Sequence, residues 1–308
     1  MSNDKSDFEP KTRMAAIWSG DSRRIASNDA AGVVLEKLGR TDIEDISQNE
    51  NVQMGHRLQP VVARIFEDLH GVRLKELDVA LTHPRHPWLR SHFDYVADDN
   101  SFLVECKNYH DQAAQYFSEA EEYPIRVPVA DRAQCLHEAI VHGTDIVWLA
   151  VLFGGQRYRE FRLTFTDEEK LEWTKRLSEI WGNVQTMTIP PATTPEQGRE
   201  IWPQDDSHTI VATQDVERLC AELAQHKKMI KQLEDGTEIQ VAKIMNYMGN
   251  RAALLAVDGK TLATWKTSKS SKRFSARLLE DTYPEIYEKF CVETVGSRRF
   301  LVKGVSRD

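Results

Sequence analysis

The sequence predicts an α/β fold in which a mixed central sheet is flanked by helices, followed by a smaller α+β region at the C-terminus. Three observations indicate the first part. Residues 92–107 have the pattern of a β-hairpin, and residues 145–153 and 158–165 have that of a buried strand and its partner. Residues 51–70 and 130–142 carry apolar side chains at helical spacing. This order of helices and strands favours an α/β core.

Length and composition are those of a globular protein with one large or two modest domains. Of the 308 residues, 41% are hydrophobic and 29% are charged, and no run approaches the ~18 apolar residues of a membrane span. The polar N-terminus lacks the apolar stretch of a signal peptide. Four widely spaced cysteines without a C-x-x-C pair argue against a disulfide framework, a zinc site or an iron–sulfur cluster. We therefore expect a cytoplasmic protein.

The net charge of −8 is unevenly distributed along the chain. Residues 251–308 contain 12 Lys+Arg and 7 Asp+Glu, a net charge of +5, so the first 250 residues carry −13. Basic side chains concentrate at residues 266–273 and 297–300. Because electrostatic fields in salt fall off over about 8–10 Å, a local basic surface could bind phosphate on an acidic protein. A solvated loop explains the lysines equally well, so net charge does not decide the partner.

The N-terminal part predicts two helices after a disordered segment at residues 1–12. The first, at residues 30–38, has polar capping residues before it, and Arg and Ser near a helix N-terminus form an anion site in many proteins. A simple cap with a surface arginine pair is the alternative. The second helix, at residues 51–70, ends at Gly71.

The hairpin carries the residues that point to chemistry. Its strands are joined by residues 98–100, Asp-Asp-Asn, and a turn centred between Asp99 and Asn100 places Asp94 opposite Glu105. Directly opposed residues have Cβ atoms about 4.5–5.5 Å apart, close enough for two carboxylates to share a cation such as Mg²⁺. Lys107 projects from the same face as Glu105, because the two residues are two apart on one strand. The alternative is that all three are solvated groups at a strand end.

Further elements complete the predicted core. The segment 83–87, His-Pro-Arg-His-Pro, is expected to be a loop rather than a metal site, since its prolines impose extended geometry. We place the core at residues 13–182 and a linker at residues 183–210, where prolines interrupt regular structure.

The region 211–308 predicts an amphipathic helix with a break at Gly236 and a β-hairpin turning at residues 258–259, Asp-Gly. A short helix near Pro284–Phe290 and a final strand at residues 299–302 follow. This region could grip DNA, join subunits or bind a partner protein, and the sequence does not choose among these roles.

Taken together, these features resemble the YqaJ-like viral recombinase family, relatives of the lambda-type phage exonucleases within the PD-(D/E)xK nuclease superfamily. The resemblance runs from about Arg23 to Lys303. The residues that carry it are Arg23-Arg24-x-x-Ser27-x-Asp29, Met54-Gly55-His56-x-Leu58-Gln59, Phe93-Asp94, Glu105-Cys106-Lys107, Gln134-x-x-His137, Trp148-Leu-Ala-Val-Leu-Phe-Gly-Gly155, Asp258-Gly259-x-x-Leu-Ala-Thr-Trp265-Lys266 and Ser297-Arg-Arg-Phe-Leu-Val-Lys303.

The resemblance implies a PD-(D/E)xK (restriction-endonuclease-like) core and Mg²⁺-dependent phosphodiester cleavage, with Mn²⁺ as a substitute. Often this is 5′-to-3′ digestion of one strand at a duplex DNA end. It also implies action in phage recombination, in a bacterial host or phage-infected cell, together with a single-strand annealing protein. Because relatives close into rings, it makes a homo-oligomer an expectation.

The resemblance also assigns roles to particular residues. Asp94 and Glu105 would be metal ligands, with the Cys106 backbone carbonyl as a third, and Lys107 would position or polarise the attacking water. Arg24 and Ser27 resemble the binders of the terminal phosphate, and Gln134 resembles a glutamine that supports the active-site water or the substrate backbone.

Two positions depart from the family pattern. Gln59 stands where the family has a glutamate, so it would be a weaker, uncharged metal ligand, and His137 replaces a tyrosine. Three functions therefore remain open: a metal-dependent exonuclease, an endonuclease or nickase on the same site, and a catalytically weak protein that binds DNA ends as a scaffold. Gln59 is the best argument for the scaffold.

Overall fold

The structure, a computed structural model, describes residues 10–41, 43, 48–118, 126–293 and 296–303. The chain divides into two compact units, Met1–Trp202 and Pro203–Asp308. This division lies inside the interval 183–210 that the sequence predicts to be a linker. Of the segment 1–12 predicted to be disordered, residues 1–9 lie outside the described residues, and residues 10–12 belong to a short helix.

The first unit is built on a mixed sheet of six strands. The strands are β1 (Ile17–Trp18), β2 (Leu74–His83), β3 (His86–Ala97), β4 (Leu103–Tyr109), β5 (Ile146–Phe153) and β6 (Arg157–Thr164). β3 pairs with β1, β2 and β4, and the sheet continues through β5 to β6. The pairs β1–β3 and β4–β5 are parallel and the others are antiparallel. This sheet confirms the predicted fold class.

Helices cover both faces of this sheet. They are α1 (Pro10–Met14), α2 (Ser19–Ala26), α3 (Ala30–Lys37), α4 (Glu50–His70), α5 (Val129–His142), α6 (Asp167–Gln185) and α7 (Pro195–Ile201), with a 3₁₀ helix at Asp111–Tyr116. Alternate residues of β5 explain the layering, since successive strand side chains point to opposite faces. Val147 and Leu149 pack in the cluster that contains α5 and α6. Ala150 and Leu152 pack with Val62 of α4.

Local sequence signals account for several helix ends. The Asp29 side chain accepts a hydrogen bond from the Gly32 amide at the start of α3. Thr166 and Glu169 form a reciprocal capping box at the start of α6. Gly71 and Gly143 have φ angles of 63° and 87° where α4 and α5 end, a left-handed conformation that glycine adopts without a steric penalty.

The sequence-based prediction missed β2 and misplaced the segment 83–87. β2 forms an antiparallel ladder with β3, and β3 begins at His86 rather than near residue 92. The predicted loop is therefore a tight turn, in which His83 Nδ1 accepts hydrogen bonds from the backbone amides of Arg85 and His86. Pairing along β3 stabilises β2 even though its own sequence, with Lys75 and Glu76 adjacent, is not typical of a strand.

The prediction of an irregular linker at residues 183–210 was also wrong in part. α6 extends to Gln185, and α7 begins at Pro195, where Thr194 caps the helix. Gln197 of α7 is buried and donates a hydrogen bond to Asp29 Oδ1 (2.7 Å). That contact, made over a long sequence separation, holds α7 in the first unit.

The second unit begins with a single long helix. Its elements are α8 (Gln214–Met248), β7 (Ala253–Leu255), β8 (Thr261–Thr264), α9 (Ala276–Thr282) and α10 (Pro284–Phe290). α8 runs through Gly236 without the predicted break, since one glycine costs a helix only about 1 kcal/mol. The β7–β8 hairpin turns at Asp258-Gly259 as predicted, with Gly259 at φ 85°.

The final strand predicted at residues 299–302 is not formed. These residues are irregular, and within the described part of the second unit the sheet consists of β7 and β8 alone. A short apolar run by itself does not make a strand, because the backbone needs a neighbouring edge for its hydrogen bonds.

Candidate active site

The register of the β3–β4 hairpin is the one that the turn residues predict. Tyr95 pairs with Val104 and Val96 with Leu103. Asn100, at φ 59°, adopts the left-handed conformation that asparagine tolerates, and its amide bonds the Ala97 carbonyl across the turn (2.8 Å). Continuing this register by one step places Asp94 opposite Glu105.

The two strands separate just beyond this point. β2 covers one edge of β3 along most of its length, so β1 and β4 must share the other edge. β4 pairs with residues 95–96, and β1 takes over at Leu89 and Arg90. In the fork between them, Asp94 Oδ2 accepts a hydrogen bond from the Cys106 amide (2.8 Å). Asp94 thus stands where the backbone ladder between β3 and β4 ends.

Helix α5 links the acidic and basic side chains of the fork. Lys107 Nζ lies 2.6 Å from Glu105 Oε1 and 3.0 Å from Gln134 Oε1. The Gln134 amide nitrogen donates to Glu105 Oε1 (2.6 Å) and to Glu138 Oε1 (2.9 Å). Gln134 therefore uses both ends of its amide to hold Glu105 and Lys107 in one arrangement.

Helix α4 supplies a fifth side chain to the same place. Gln59 Nε2 donates a hydrogen bond to Asp94 Oδ1 (2.7 Å). The structure therefore brings together Asp94, Glu105, Lys107, Gln134 and Gln59, which come from four different elements. The contacts between these side chains are observed, whereas their catalytic and metal-binding roles are predictions from the sequence.

Arg23 contacts this cluster, whereas the sequence-based prediction named its neighbour. Arg23 Nη1 donates to Gln134 Oε1 (3.0 Å) and to Asp131, and Nη2 donates to the Tyr109 hydroxyl (3.4 Å). Asp131 and Gln134 lie three residues apart on α5 and so share a face. That Asp-x-x-Gln spacing was the signal in the sequence that could have pointed to a cation here.

Arg24 and Ser27, the predicted phosphate contacts, lie differently. Arg24 Nε bonds Asp29 Oδ2 (2.7 Å) and Nη1 bonds Glu36 Oε2 (2.5 Å), so its guanidinium is directed to α3. Ser27 is exposed at the end of α2, where its amide caps the helix. The described hydrogen bonds of these two residues do not include the cluster around Glu105.

Burial and the negative charge of neighbouring carboxylates together set the pKa values in this cluster. Burial, followed by the charge of Glu105, raises the pKa of Asp94 well above its usual range. The same two causes raise the pKa of Glu138. Burial lowers the pKa of Lys107, but the charges of Glu105 and Asp94 and the hydrogen bond to Glu105 together outweigh it, so the pKa lies above the ordinary value. Lys107 is therefore a charged hydrogen-bond donor in this arrangement.

The donors of the cluster suit a hard divalent cation. Among the residues that the structure describes, no three His, Cys, Asp or Glu side chains form a metal-binding group. Mg²⁺, however, is commonly held by one or two carboxylates, with water and substrate phosphates completing its shell. Asp94 and Glu105 supply two carboxylates, and the amide of Gln59 and the backbone carbonyl of Cys106 are further oxygen donors.

Sequence comparison finds a known domain family that is similar to the part of the chain containing this cluster. Residues 12–145 match the family described as the YqaJ-like viral recombinase domain. This interval includes every residue of the cluster, from Arg23 to Glu138. Residues 12–145 are therefore similar to a YqaJ-like viral recombinase domain. A relative over nearly the full length is "Uncharacterized protein YqaJ" of Bacillus subtilis (strain 168), which is 25% identical over 282 residues, 88% of this chain and 85% of the relative.

Solved structures similar to this chain include exonucleases. The alkaline exonuclease LHK-Exo of Laribacter hongkongensis in complex with dAMP has a TM-score of 0.45 at 14% identity, covering 59% of this chain and 94% of that one. A phage-related exonuclease of Haemophilus somnus 129PT has a TM-score of 0.40 at 10% identity, covering 55% and 81%. At these values the assignment of residues rests on the geometry described above. No helix among the described residues has the length and apolarity to cross a membrane.

Buried contacts of Ser22 and Asp21 fix α2, and with it Arg23, in the first unit. His137 Nε2 lies 3.0 Å from the Arg90 carbonyl, which can only accept, so this nitrogen carries the proton. In the neutral ring Nδ1 is then the acceptor for the Ser22 hydroxyl (2.8 Å). At the start of the helix, Asp21 Oδ2 accepts from the Trp18 amide (2.8 Å) and pairs with Lys37 Nζ (2.6 Å).

His137 predicts a specific loss of stability in acid. Burial lowers its pKa to about 4, against an ordinary value of 6.5. Above pH 6.5 the ring is neutral in both folded and unfolded chains. As the pH falls from 6.5 towards 4, only the unfolded chain gains the proton, so the free energy of unfolding should fall by up to about 3 kcal/mol.

This contribution is measured as the difference between the wild type and His137→Gln, unfolded by urea at a series of pH values. Glutamine retains a side-chain amide for the Arg90 carbonyl but does not titrate. Asp94 and Glu138 have raised pKa values, which favour the folded state in acid and so give the opposite pH dependence. Because both proteins contain these two residues, their contribution cancels when the two free energies of unfolding are subtracted. A difference that stays constant from pH 7 to pH 4.5 would rule out a neutral, buried His137.

Proposed function

We propose that this protein is a metal-dependent DNA nuclease that hydrolyses phosphodiester bonds, acting as a 5′-to-3′ exonuclease on double-stranded DNA in phage-type recombination. The observation that carries the proposal is the fork at Asp94. There a carboxylate meets Glu105 and Lys107, whose charged atoms lie 2.6 Å apart, on the adjacent strand. The similarity of residues 12–145 to the YqaJ-like viral recombinase domain supports recombination as the setting. Exonucleases among the similar folds agree with it.

Mg²⁺, or Mn²⁺ as a substitute, is the proposed cofactor. Asp94 and Glu105 would hold it, with the Cys106 carbonyl as a further ligand and Gln59 as an uncharged one. A bound divalent cation would supply Lewis-acid stabilisation of the charge on the scissile phosphate. Since Gln59 adds no charge, metal affinity should be lower than with a third carboxylate.

Other side chains around the proposed metal position would orient the attacking water, hold the ligands in place and contact the DNA. The Lys107 ammonium can orient the attacking water through a hydrogen bond. Gln134 keeps Lys107 and Glu105 in place through bonds to both. Arg23 borders the same cluster with 31% of its side chain exposed, so it can also reach a DNA phosphate.

The proposed substrate is a duplex DNA end, recognised through its phosphates. Phosphate contacts carry no base information, so cleavage should be insensitive to sequence, and binding should weaken steeply with salt. A single-strand annealing protein is the proposed partner, as it would take up the strand that digestion exposes.

The test is digestion of linear duplex DNA labelled at either the 5′ or the 3′ end, beside covalently closed circular DNA, with Mg²⁺ or with EDTA. Early release of the 5′ label from linear DNA alone is the expected result. Cleavage of the circle would favour an endonuclease or nickase on the same site. Early release of the 3′ label would reverse the proposed polarity.

The second candidate is a protein that binds DNA ends without cutting them, and Gln59 is the observation that favours it. In this case duplex ends would be bound in a gel-shift assay, but neither Mg²⁺ nor Mn²⁺ would give a product. The absence of both binding and product would contradict both candidates.

The two adjacent arginines should have different roles at the DNA end. We expect Arg23→Ala to lower kcat/KM on 5′-phosphorylated duplex by about 10- to 100-fold, the worth of one charged hydrogen bond to phosphate. Arg24→Ala should change it less, because the bonds of Arg24 go to Asp29 and Glu36. The measurement is kcat/KM for each variant on 5′-phosphate and 5′-hydroxyl ends.

If Arg23 contacts the terminal phosphate, Arg23→Ala should prefer the 5′-phosphate end over the 5′-hydroxyl end less strongly than the wild type does. A simple loss of stability would lower kcat/KM on both ends and leave this preference unchanged. If Arg24→Ala reduces that preference and Arg23→Ala does not, the residue named from the sequence is the phosphate contact after all.

A further inference from the structure

A cleft of about 560 Å³ lies between the 3₁₀ helix 111–116 and strand β6. Its lining includes Arg157 and Arg159 of β6 and Gln112 and Gln115 of the 3₁₀ helix. Residues three apart in a 3₁₀ helix lie one above the other, so the two glutamines share a face. Arginine and glutamine side chains carry N–H donors, which bind phosphate oxygens in protein–DNA complexes. The cleft therefore has the chemistry of a phosphate site.

The pairing of three strands places this cleft on the same face of the sheet as Lys107. Lys107 pairs with Val151 of β5, and Val151 pairs with Arg159 of β6. Directly paired residues project from the same face, and neighbouring strands lie about 4.8 Å apart, so the backbone of Arg159 is about 10 Å from that of Lys107. Phosphates of one strand recur about every 3.4 Å along a duplex, so this separation corresponds to about three nucleotides.

The next row of paired residues connects the cleft to the cluster through side-chain contacts. Tyr109 pairs with Phe153, and Phe153 pairs with Arg157. The ring centroids of Tyr109 and Phe153 are 6.4 Å apart, and the guanidinium carbon of Arg157 lies 5.7 Å from the Phe153 centroid. The Tyr109 hydroxyl in turn accepts a hydrogen bond from Arg23 of the cluster. The cleft therefore adjoins the proposed active site.

Contacts with Asp111 hold the 3₁₀ helix against β6. Arg157 Nη2 lies 2.9 Å from Asp111 Oδ1 and donates to the Asp111 carbonyl (3.2 Å). Gly154 permits this close approach, because an added Cβ would lie 3.2 Å from Asp111 Cβ. Asp111 offsets the charge of Arg157, and the lining as a whole, with two arginines and one aspartate, has a net charge of +1. Arg159 is the arginine in the row of Lys107, so we assign the phosphate to it.

We propose that this cleft binds a backbone phosphate of the DNA strand that is being cut, about three nucleotides from the scissile phosphate. Arg159 is the charged contact, Gln112 and Gln115 are neutral donors, and Arg157 is a positioning residue. The inference rests on the proposed action on DNA and names a subsite for it. A second phosphate held at this distance keeps the strand aligned with the fork at Asp94.

The first experiment measures the binding of a fluorescent DNA duplex to the full-length protein by anisotropy in EDTA, so cleavage is not required. Arg159→Gln should weaken binding by about 10-fold or more and lower the slope of log K against log[salt] by about 0.9, the value for one phosphate contact. Arg162→Gln is the matched control. Arg162 is three residues further along β6, so it projects from the opposite face, where it bonds Thr164. The control should keep the wild-type affinity and slope.

Variants of Gln115 test the cleft without disturbing the core, because this residue is exposed. Gln115→Lys should tighten binding and steepen its salt dependence, whereas Gln115→Glu should weaken binding. These variants decide the question if Arg159→Gln loses its thermal unfolding transition. Wild-type affinity in a folded Arg159→Gln, or no effect of either charge at position 115, would overturn the subsite and leave the proposed function intact. Failure of the wild type to bind duplex DNA would overturn both.

The second experiment locates the phosphate. Duplexes with a single neutral methylphosphonate at successive linkages near one end remove one phosphate charge at a time. With the wild type, one linkage about three nucleotides from the cutting position should weaken binding by about 10-fold. With Arg159→Gln the same linkage should have little effect, because its partner is already missing. Equal losses in both proteins at every linkage would overturn the assignment of Arg159 to a particular phosphate.

Discussion

Replacement of Lys107 by alanine is expected to lower the rate of DNA cleavage by about 10²- to 10⁴-fold, the range for a group that acts on a proton or water in the transition state. Lys107 Nζ lies 2.6 Å from Glu105 Oε1 and 3.0 Å from Gln134 Oε1, in the cluster that also contains Asp94. No other lysine of the described residues bonds to this cluster. The measurement is the single-turnover rate on linear duplex DNA at saturating Mg²⁺.

Lys170→Ala is the matched control. Lys170 has a similarly shielded side chain, 18% exposed against 21% for Lys107, but it pairs with Asp145 and Asp167 away from the fork. The control should cut at the wild-type rate. Equal rates for Lys107→Ala and wild type would remove Lys107 from the chemistry. A lost rate together with a lost thermal unfolding transition would indicate damage to the fold, which Lys107→Arg should then repair.

Replacement of Lys37 by methionine is expected to lower the free energy of unfolding by about 3–5 kcal/mol. Lys37 and Asp21 are buried together, with side chains 0% and 1% exposed and charged atoms 2.6 Å apart. Lys37 Nζ also donates to the Arg13 carbonyl (2.9 Å). Methionine has similar length but leaves Asp21 as a buried carboxylate without its cation. Urea unfolding at pH 7 measures the loss.

Two further variants separate this cause from a simple change of shape. Asp21→Asn combined with Lys37→Met removes both charges and keeps an acceptor for the Trp18 amide, so it should recover most of the loss. Lys75→Met breaks an ion pair with Asp98 in which both side chains are 55% exposed, and it should cost no more than about 1 kcal/mol. A double variant as unstable as Lys37→Met alone would contradict the argument.

The hairpin shows how much of the site could be predicted from the sequence. Its register depends on the turn at residues 98–100, which is local, and a slip of one residue would have moved Asp94 to the other face of the sheet. The paired residues of β3 and β4 confirm this prediction. Helices α4 and α5 were predicted for a similar reason, since apolar spacing over many residues identifies a helix by itself.

Other elements could not be predicted in this way, or their signals were not used. β2 is stabilised by its ladder to β3, a contact that no local pattern records. α7 is held by Gln197 against Asp29, far away in sequence. α6, in contrast, has a local signal in the pair Thr166 and Glu169, a capping box that sequence analysis could have used.

The sequence by itself determined the chemistry available to this protein: two carboxylates opposed across a turn, a lysine two residues after the second of them, and an amphipathic helix in the C-terminal region. These are properties of short segments, set by strand alternation and helix pitch. Only the tertiary structure decided which of two adjacent arginines meets the cluster. Arg23 and Arg24 point in different directions from α2, and the packing of that helix against α5 and α3 turns Arg23 towards Asp131 and Gln134. Helix rotation depends on buried contacts such as Asp21 with Lys37, between residues that no local rule connects.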